Sequence, residues 1–258
     1  MTELIAILAD LAGVAEPMVL GWFLIFVRVG AAVALLPAFG DQMVPQRVKL
    51  GVALAFSVVV APPVIDRIPN ESLGALTPLL SEAAVGLMLG IGLRFFIFAL
   101  QIAGMVIAQA TSLAQLFGIA GEPQPVIANI LTLAALAVAV AAGLHVRAAE
   151  MMILSYDLFP PGSVLPAPDL LQWGLHQAGR ATGLALSLAA PFVIGSLLYN
   201  VALGVINRAM PQLMVAFVGA PALTLGGIAL FALAAPLMLT VWMQALDAYL
   251  ADPTGVAQ

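Results

Sequence analysis

Two stretches of this chain, Leu184 to Ile206 and Leu213 to Ala235, contain no charged residue. As helices rising roughly 1.5 Å per residue, each is long enough to cross about 30 Å of hydrocarbon. Three further apolar runs precede them: Met18 to Phe39, Pro78 to about Gly104, and Val126 to Leu144. Hydrocarbon offers backbone N–H and C=O groups no partner, so runs of this kind must satisfy themselves as helices. Composition agrees. Of 258 residues, 63% are hydrophobic and only 8% charged, with a mean hydropathy of +1.14, where a soluble domain carries about 25% charged residues. The predicted class is an all-α integral membrane protein with roughly six to eight hydrophobic, partly kinked helices and hairpins. It reads as a single membrane domain over residues 1–258.

Several functions fall away on residue type. The formal charge of −5 is spread thinly, whereas nucleic-acid binding needs basic patches. With no cysteine there is no disulfide, thiolate nucleophile or Cys-ligated metal. His145 and His176 are the only histidines, and neither lies in a His-Glu-x-x-His pattern, so no metal site is expected. No serine sits in Gly-x-Ser-x-Gly, no carboxylates pair within one turn of a span, and no Walker or Gly-x-Gly-x-x-Gly motif occurs. The chain is predicted not to be an enzyme, with no catalytic residues and no cofactor. No basic residue precedes Arg28, so the positive n-region of a cleavable signal peptide is not read.

The few charges inside apolar runs are more informative. Arg28 lies within the first run and should face protein, water or a carboxylate. Glu82 and Arg94 share the run from Pro78 to about Gly104, but three helical turns separate them, so they cannot pair within one straight helix. Gly86 and Gly90 between them form a Gly-x-x-x-Gly spacing, suited to close packing either within the chain or against a partner subunit. Leu50 to Val60 reads as too short for a comfortable span, ending at Pro62-Pro63. Gln101, Gln109 and Ser112 fall close to one helical stripe, expected to be a wet face or a source of interhelical hydrogen bonds. Leu170 to Ala181 reads as an interfacial helix. Pro191, Pro221 and Pro236 each predict a kink or a break, and Trp242 and Tyr249 suit a headgroup-level belt.

Between the two charge-free stretches stands Asn207-Arg208-Ala209-Met210-Pro211-Gln212, followed by Phe217-Val218-Gly219-Ala220-Pro221. As bare sequence this is the polar turn of a helical hairpin. It also resembles the C-terminal signature of the FliR family, integral membrane components of the flagellar type III protein export gate with injectisome counterparts. The motif residues are Asn207, Arg208, Met210, Pro211, Gln212, Gly219 and Pro221. The resemblance implies a FliP-like part over 1–181 and a FliQ-like C-terminal hairpin over 182–250. It further implies assembly with FliP-like and FliQ-like subunits and with FlhB- and FlhA-like export components. Unfolded flagellar proteins would be the exported substrates, and the bacterial inner membrane at the flagellar basal body the location.

By the same resemblance Leu113, Leu116, Phe117, Gly118 and Ile119 belong to a loop that plugs the closed channel. Relatives often carry Asp-Pro where Gly118-Ile119 stand here. Glu82, Arg94, Asn207, Arg208 and Gln212 are expected as intersubunit polar contacts. The rival reading from the residues alone is a secondary transporter of a small solute or ion, with kinked helices and buried charges as its usual equipment. Corresponding halves are not visible in the chain. A transporter would act alone or as a homo-oligomer, whereas a gate subunit would be inert without partners.

Overall fold

A computed structural model describes residues 2–40, 44–68, 76–111, 126–210 and 215–255, with side chains described except at 2–17, 215–218 and 220. Among the described residues there are seven α-helices, one short 3₁₀ turn and no strand. The helices are α1 (Thr2–Val33), α2 (Gln46–Val64), α3 (Leu76–Ala110), α4 (Val126–Ala141), α5 (Leu144–Leu158), α6 (Ala167–Ala209) and α7 (Val215–Ala251). The all-α reading therefore holds. Among the described residues, four helical segments are long and apolar enough to cross a membrane: Gln46–Arg67, Leu76–Ala110, Ala167–Ala209 and Pro221–Ala251.

Several boundaries differ from the sequence expectations, each for a local reason. The first apolar run does not stay helical to Phe39. Pro37 disfavours the α region at Leu36, and the chain turns with Ala38 at φ 69° and Gly40 N–H donating to the Leu36 carbonyl over 2.7 Å. Lys49 Nζ then donates to the Gly40 carbonyl at 3.0 Å. The second apolar run is longer than expected. Helix α2 begins immediately after Pro45 and takes in Gln46 to Lys49, while Pro62 and Pro63 fall in its last turn. Ile65 N–H reaches the Ala61 carbonyl, and with the 3₁₀ turn the segment is 22 residues long. Conversely, the run from Val126 to Leu144 is interrupted at Gly143, whose φ of 85° is open to glycine and costly for other residues. Pro191 lies inside α6, and Pro221 and Pro236 inside α7, without interrupting either helix. Leu170 to Ala181 is the beginning of α6 rather than a separate helix.

The chain divides into two compact units. One comprises Met1–Arg94, Val140–Leu175 and Ala248–Gln258. Its core brings Ile25, Val29 and Ala32 of α1 together with Val60 of α2 and Met152 and Tyr156 of α5. On α3 the residues Glu82, Val85, Leu89 and Leu93 are all buried and recur at the three- and four-residue steps of one helix face. The Gly-x-x-x-Gly pair serves packing within the chain. A Cβ on Gly86 would strike the Arg28 carbonyl oxygen, and one on Gly90 would approach the Ala32 carbonyl oxygen at 2.9 Å. Tyr249 is buried in this unit and its hydroxyl donates to the Leu89 carbonyl at 3.2 Å.

The other unit comprises Phe95–Ala139 and His176–Asp247. Here Trp242 is fully buried and its indole N–H donates to the Phe96 carbonyl at 2.9 Å. Thr224 Oγ1 donates to the Thr111 carbonyl at 3.3 Å, and Phe192 packs on Phe231 with ring centroids 6.3 Å apart. The headgroup-belt expectation for Trp242 and Tyr249 is thus overturned. Each ring is buried, and each polar tip is satisfied by a helix carbonyl instead of by water. Gln101 and Gln109 are exposed, while Ser112 lies outside the described residues.

Close packing at Gly86 makes a direct prediction. Gly86→Val should destabilise the detergent-solubilised protein by about 2 kcal/mol or more through overpacking against α1. Gly179→Ala on α6, where a Cβ would meet open space, should instead stabilise by up to about 1 kcal/mol through helix propensity. Thermal unfolding followed by circular dichroism separates the two.

Candidate functional site

Arg28 is fully buried and Glu82 is 1% exposed. Helix periodicity explains why these residues point inward, since each sits on the same face as the aliphatic residues of its own helix. Arg28 Nε donates to Glu82 Oε2 at 2.6 Å and Nη2 donates to Oε1 at 3.0 Å, the two-point geometry that suits a guanidinium and a carboxylate. Nη1 donates to Ser155 Oγ at 3.1 Å, and Nη2 also donates to the Phe159 carbonyl at 2.9 Å. Ser155 in turn donates to the Met152 carbonyl at 2.6 Å. The Tyr156 ring lies under the guanidinium, its centroid 3.7 Å from Cζ, adding a cation–π attraction that strengthens away from water.

Most of the donors in this cluster are engaged within the chain. The arginine presents five donors, and four contacts from α3, α5 and the following turn occupy the guanidinium. It offers no reacting group, and its evident work is cohesion. The carboxylate of Glu82 is engaged inside the chain, not held out to a second one. Arg94, the other charge of α3, is half-buried. Among the described residues no group of three or more His, Asp or Glu is placed to hold a metal, and His145 and His176 are both exposed.

The hairpin motif has a different character. Asn207, Arg208 and Met210 are exposed at the C-terminal end of α6, where a cation is favoured by the helix dipole. Pro211 and Gln212 lie outside the described residues, as do Leu113, Leu116, Phe117, Gly118 and Ile119. Gly219 is buried near Leu203, and its carbonyl accepts a hydrogen bond from Tyr199 Oη at 2.8 Å; Pro221 is exposed. The motif glycine therefore closes the two helices on each other while Asn207 and Arg208 face outward.

Two clefts bear on the transporter reading. One in the second unit, bordered by Thr111, Phe192, Ser196, Tyr199 and Gly226, holds about 190 Å³, below the roughly 300–1,000 Å³ of ordinary ligand pockets. One in the first unit holds about 450 Å³, but Met18, Val19, Trp22, Ala61, Pro62 and Ile65 line it. Those side chains offer none of the placed polar groups that orient a solute.

A larger feature is the outer face of α6. Leu171, Leu175, Leu186, Leu197, Val201 and Val205 along it are each more than half exposed. From Leu186 to Val205 this apolar surface runs for about 30 Å at helical rise, close to what hydrocarbon covers, and the exposed His176 and Arg180 separate it from Leu171 and Leu175. The sequence alone did not reveal Ser155, Tyr156 or the Phe159 carbonyl as partners of Arg28. The available signal was weak, since Ser155 and Tyr156 stand in a helix that also carries His145, Arg147, Glu150 and Asp157.

Comparison with known proteins is consistent along nearly the whole chain. Residues 19–249 match the family described as bacterial export proteins, family 1. The flagellar biosynthetic protein FliR of Caulobacter vibrioides is 32% identical over 227 residues, covering 85% of this chain and 90% of the relative. The Escherichia coli K12 protein of the same name is 30% identical over 224 residues, covering 84% and 85%. That of Bacillus subtilis 168 is 28% identical over 208 residues, covering 78% and 80%.

A buried pair should reveal itself by non-additivity. Arg28→Met or Glu82→Leu alone leaves an uncompensated buried charge and should cost about 3–5 kcal/mol. The double variant should recover most of that loss, which a double-mutant cycle on apparent unfolding free energies measures.

Proposed function

The chain belongs to the FliR family of bacterial export proteins, and from that premise we propose that it is a structural component of the flagellar protein export apparatus, a multi-pass membrane protein that conducts and does not catalyse. The observation that carries the reading furthest is the family match along residues 19–249, and the exposed apolar face of α6 is in keeping with it. That face must be covered by lipid or by protein, because an apolar surface of that size in water would aggregate. A subunit of a larger gate covers it with both, and neither cleft described above is built to hold a solute as a solitary transporter requires.

The finer reading follows from the resemblance. The chain joins FliP-like and FliQ-like subunits, with its 1–181 part placed like the former and its 182–250 hairpin like the latter. FlhB- and FlhA-like components complete the apparatus in the bacterial inner membrane, at the flagellar basal body. Unfolded flagellar subunits thread through the shared channel, and Leu113, Leu116, Phe117, Gly118 and Ile119 form its plug. Asn207 and Arg208, both exposed, are the strongest choices for polar contacts between subunits, with Gln212 and Arg94 further ones. Glu82 contributes indirectly by holding Arg28.

Co-expression with FliP- and FliQ-like neighbours, affinity purification in mild detergent and native mass spectrometry test the assembly. A defined hetero-oligomer is expected, and a lone monomer or homo-oligomer that ignores those partners would sink the proposal. Arg208→Glu should lower recovery of the hetero-oligomer about tenfold or more by placing a like or unpaired charge at the contact, with the chain's own unfolding temperature unchanged. Deleting residues 116–122 from the assembled gate should produce an ion leak, seen as conductance across a planar bilayer.

A further inference from the structure

The turn after α5 is Phe159-Pro160-Pro161-Gly162-Ser163. Ser163 N–H donates to the Pro160 carbonyl at 3.0 Å, and Gly162 has φ 77°. Pro followed by a left-handed Gly at the two central positions is the pattern of a type II turn. Prolines have no N–H, so Phe159 C=O and Gly162 N–H are the main-chain groups that bracket the Pro-Pro pair. Both are held by the buried ion pair. Arg28 Nη2 donates to the Phe159 carbonyl at 2.9 Å, and the Gly162 N–H donates to Glu82 Oε1 at 3.3 Å. The two ends of the turn are therefore grasped by side chains 131 and 80 residues away in sequence, from α1 and α3 respectively. Ser163 Oγ is buried.

We propose that Arg28 and Glu82 act together as a latch that locks the Phe159–Ser163 turn, the joint between α5 and α6, in one conformation. The packing of α1 on α3 thereby dictates how the chain enters α6. A purely apolar pair could hold α1 against α3, but it could not bind the carbonyl and the N–H of a turn. The turn itself gains no substitute donors from its prolines. Release of either charge frees both ends while leaving the aliphatic core of the unit in place.

The chain contains no cysteine, so a single introduced thiol reports without background. Ser163→Cys, carried in membrane vesicles and treated with a maleimide–polyethylene glycol, should label slowly. Adding Arg28→Lys or the near-isosteric Glu82→Gln should speed labelling by about tenfold or more, the factor expected on losing one charge-assisted hydrogen bond. Ser57→Cys, in a fully buried position of the same unit, should stay unlabelled in each background. Arg67→Ala, which removes the exposed pair of Arg67 with Asp157, should leave Ser163→Cys at its original rate. Unchanged labelling at position 163 in both Arg28→Lys and Glu82→Gln would overturn the latch. So would equal acceleration at position 57, which would mean that the pair holds the whole unit and not the turn. Should Arg28→Lys fail to accumulate, Glu82→Gln, which keeps the shape but removes the charge and one acceptor oxygen, decides alone.

Discussion

A fully buried arginine in an apolar bundle is the constraint on which the first unit depends. Moving a guanidinium out of water costs several kcal/mol even after relaxation, and the cost is offset only by excellent geometry with the donors engaged. The chain engages four of the five guanidinium donors, with a carboxylate from α3, a hydroxyl from α5 and a carbonyl from the turn beyond it, and sets an aromatic face of α5 against the guanidinium. Hydrophobic burial alone is non-directional and would tolerate sliding or rotation of smooth helices. The arginine admits one register. Gly86 and Gly90 then let α1 approach closely enough for that register to be reached.

Aromatic side chains act in a related way at the end of α7. Trp242 and Tyr249 lie seven residues apart, and the carbonyls they reach, Phe96 and Leu89, are also seven apart on α3. Seven residues is close to two helical turns, so each partner pair falls on one face of its helix. The outer surface follows another logic. Helix α6 has 43 residues, about 65 Å at helical rise, and displays leucine and valine along most of it. Such a helix is built to be surrounded, partly by lipid and, on our proposal, partly by other subunits.

The helical class was legible in the sequence because charge-free runs leave no alternative in hydrocarbon. The need of Arg28 for a carboxylate was legible too, but not its choice among the 13 acidic residues. That choice depends on which helices pack together, and hydropathy carries no pairing information. Trp242 and Tyr249 misled for the same reason, since an amphipathic ring near the end of a span reads as interfacial unless a distant carbonyl is known to be waiting. Pro62-Pro63 also misled. Helix α2 runs through both prolines to Val64 and passes into the 3₁₀ turn that ends at Arg67, just as α6 and α7 run through Pro191 and Pro236. The Asn207-to-Gln212 motif carried the family, and exposure of Asn207 and Arg208 fits an outward role that periodicity alone could not assign.

The most direct measurement of the central claim is export itself, in a bacterium whose own FliR-family gene is deleted and which expresses this chain together with its FliP- and FliQ-like neighbours. Flagellin and hook protein collected from the medium would be quantified against a strain expressing the chain alone. The account predicts export only when all three are present, with no solute uptake by the chain alone. Membrane-inserted protein that assembles with those neighbours yet restores no secretion, or that moves a small solute without them, would contradict it.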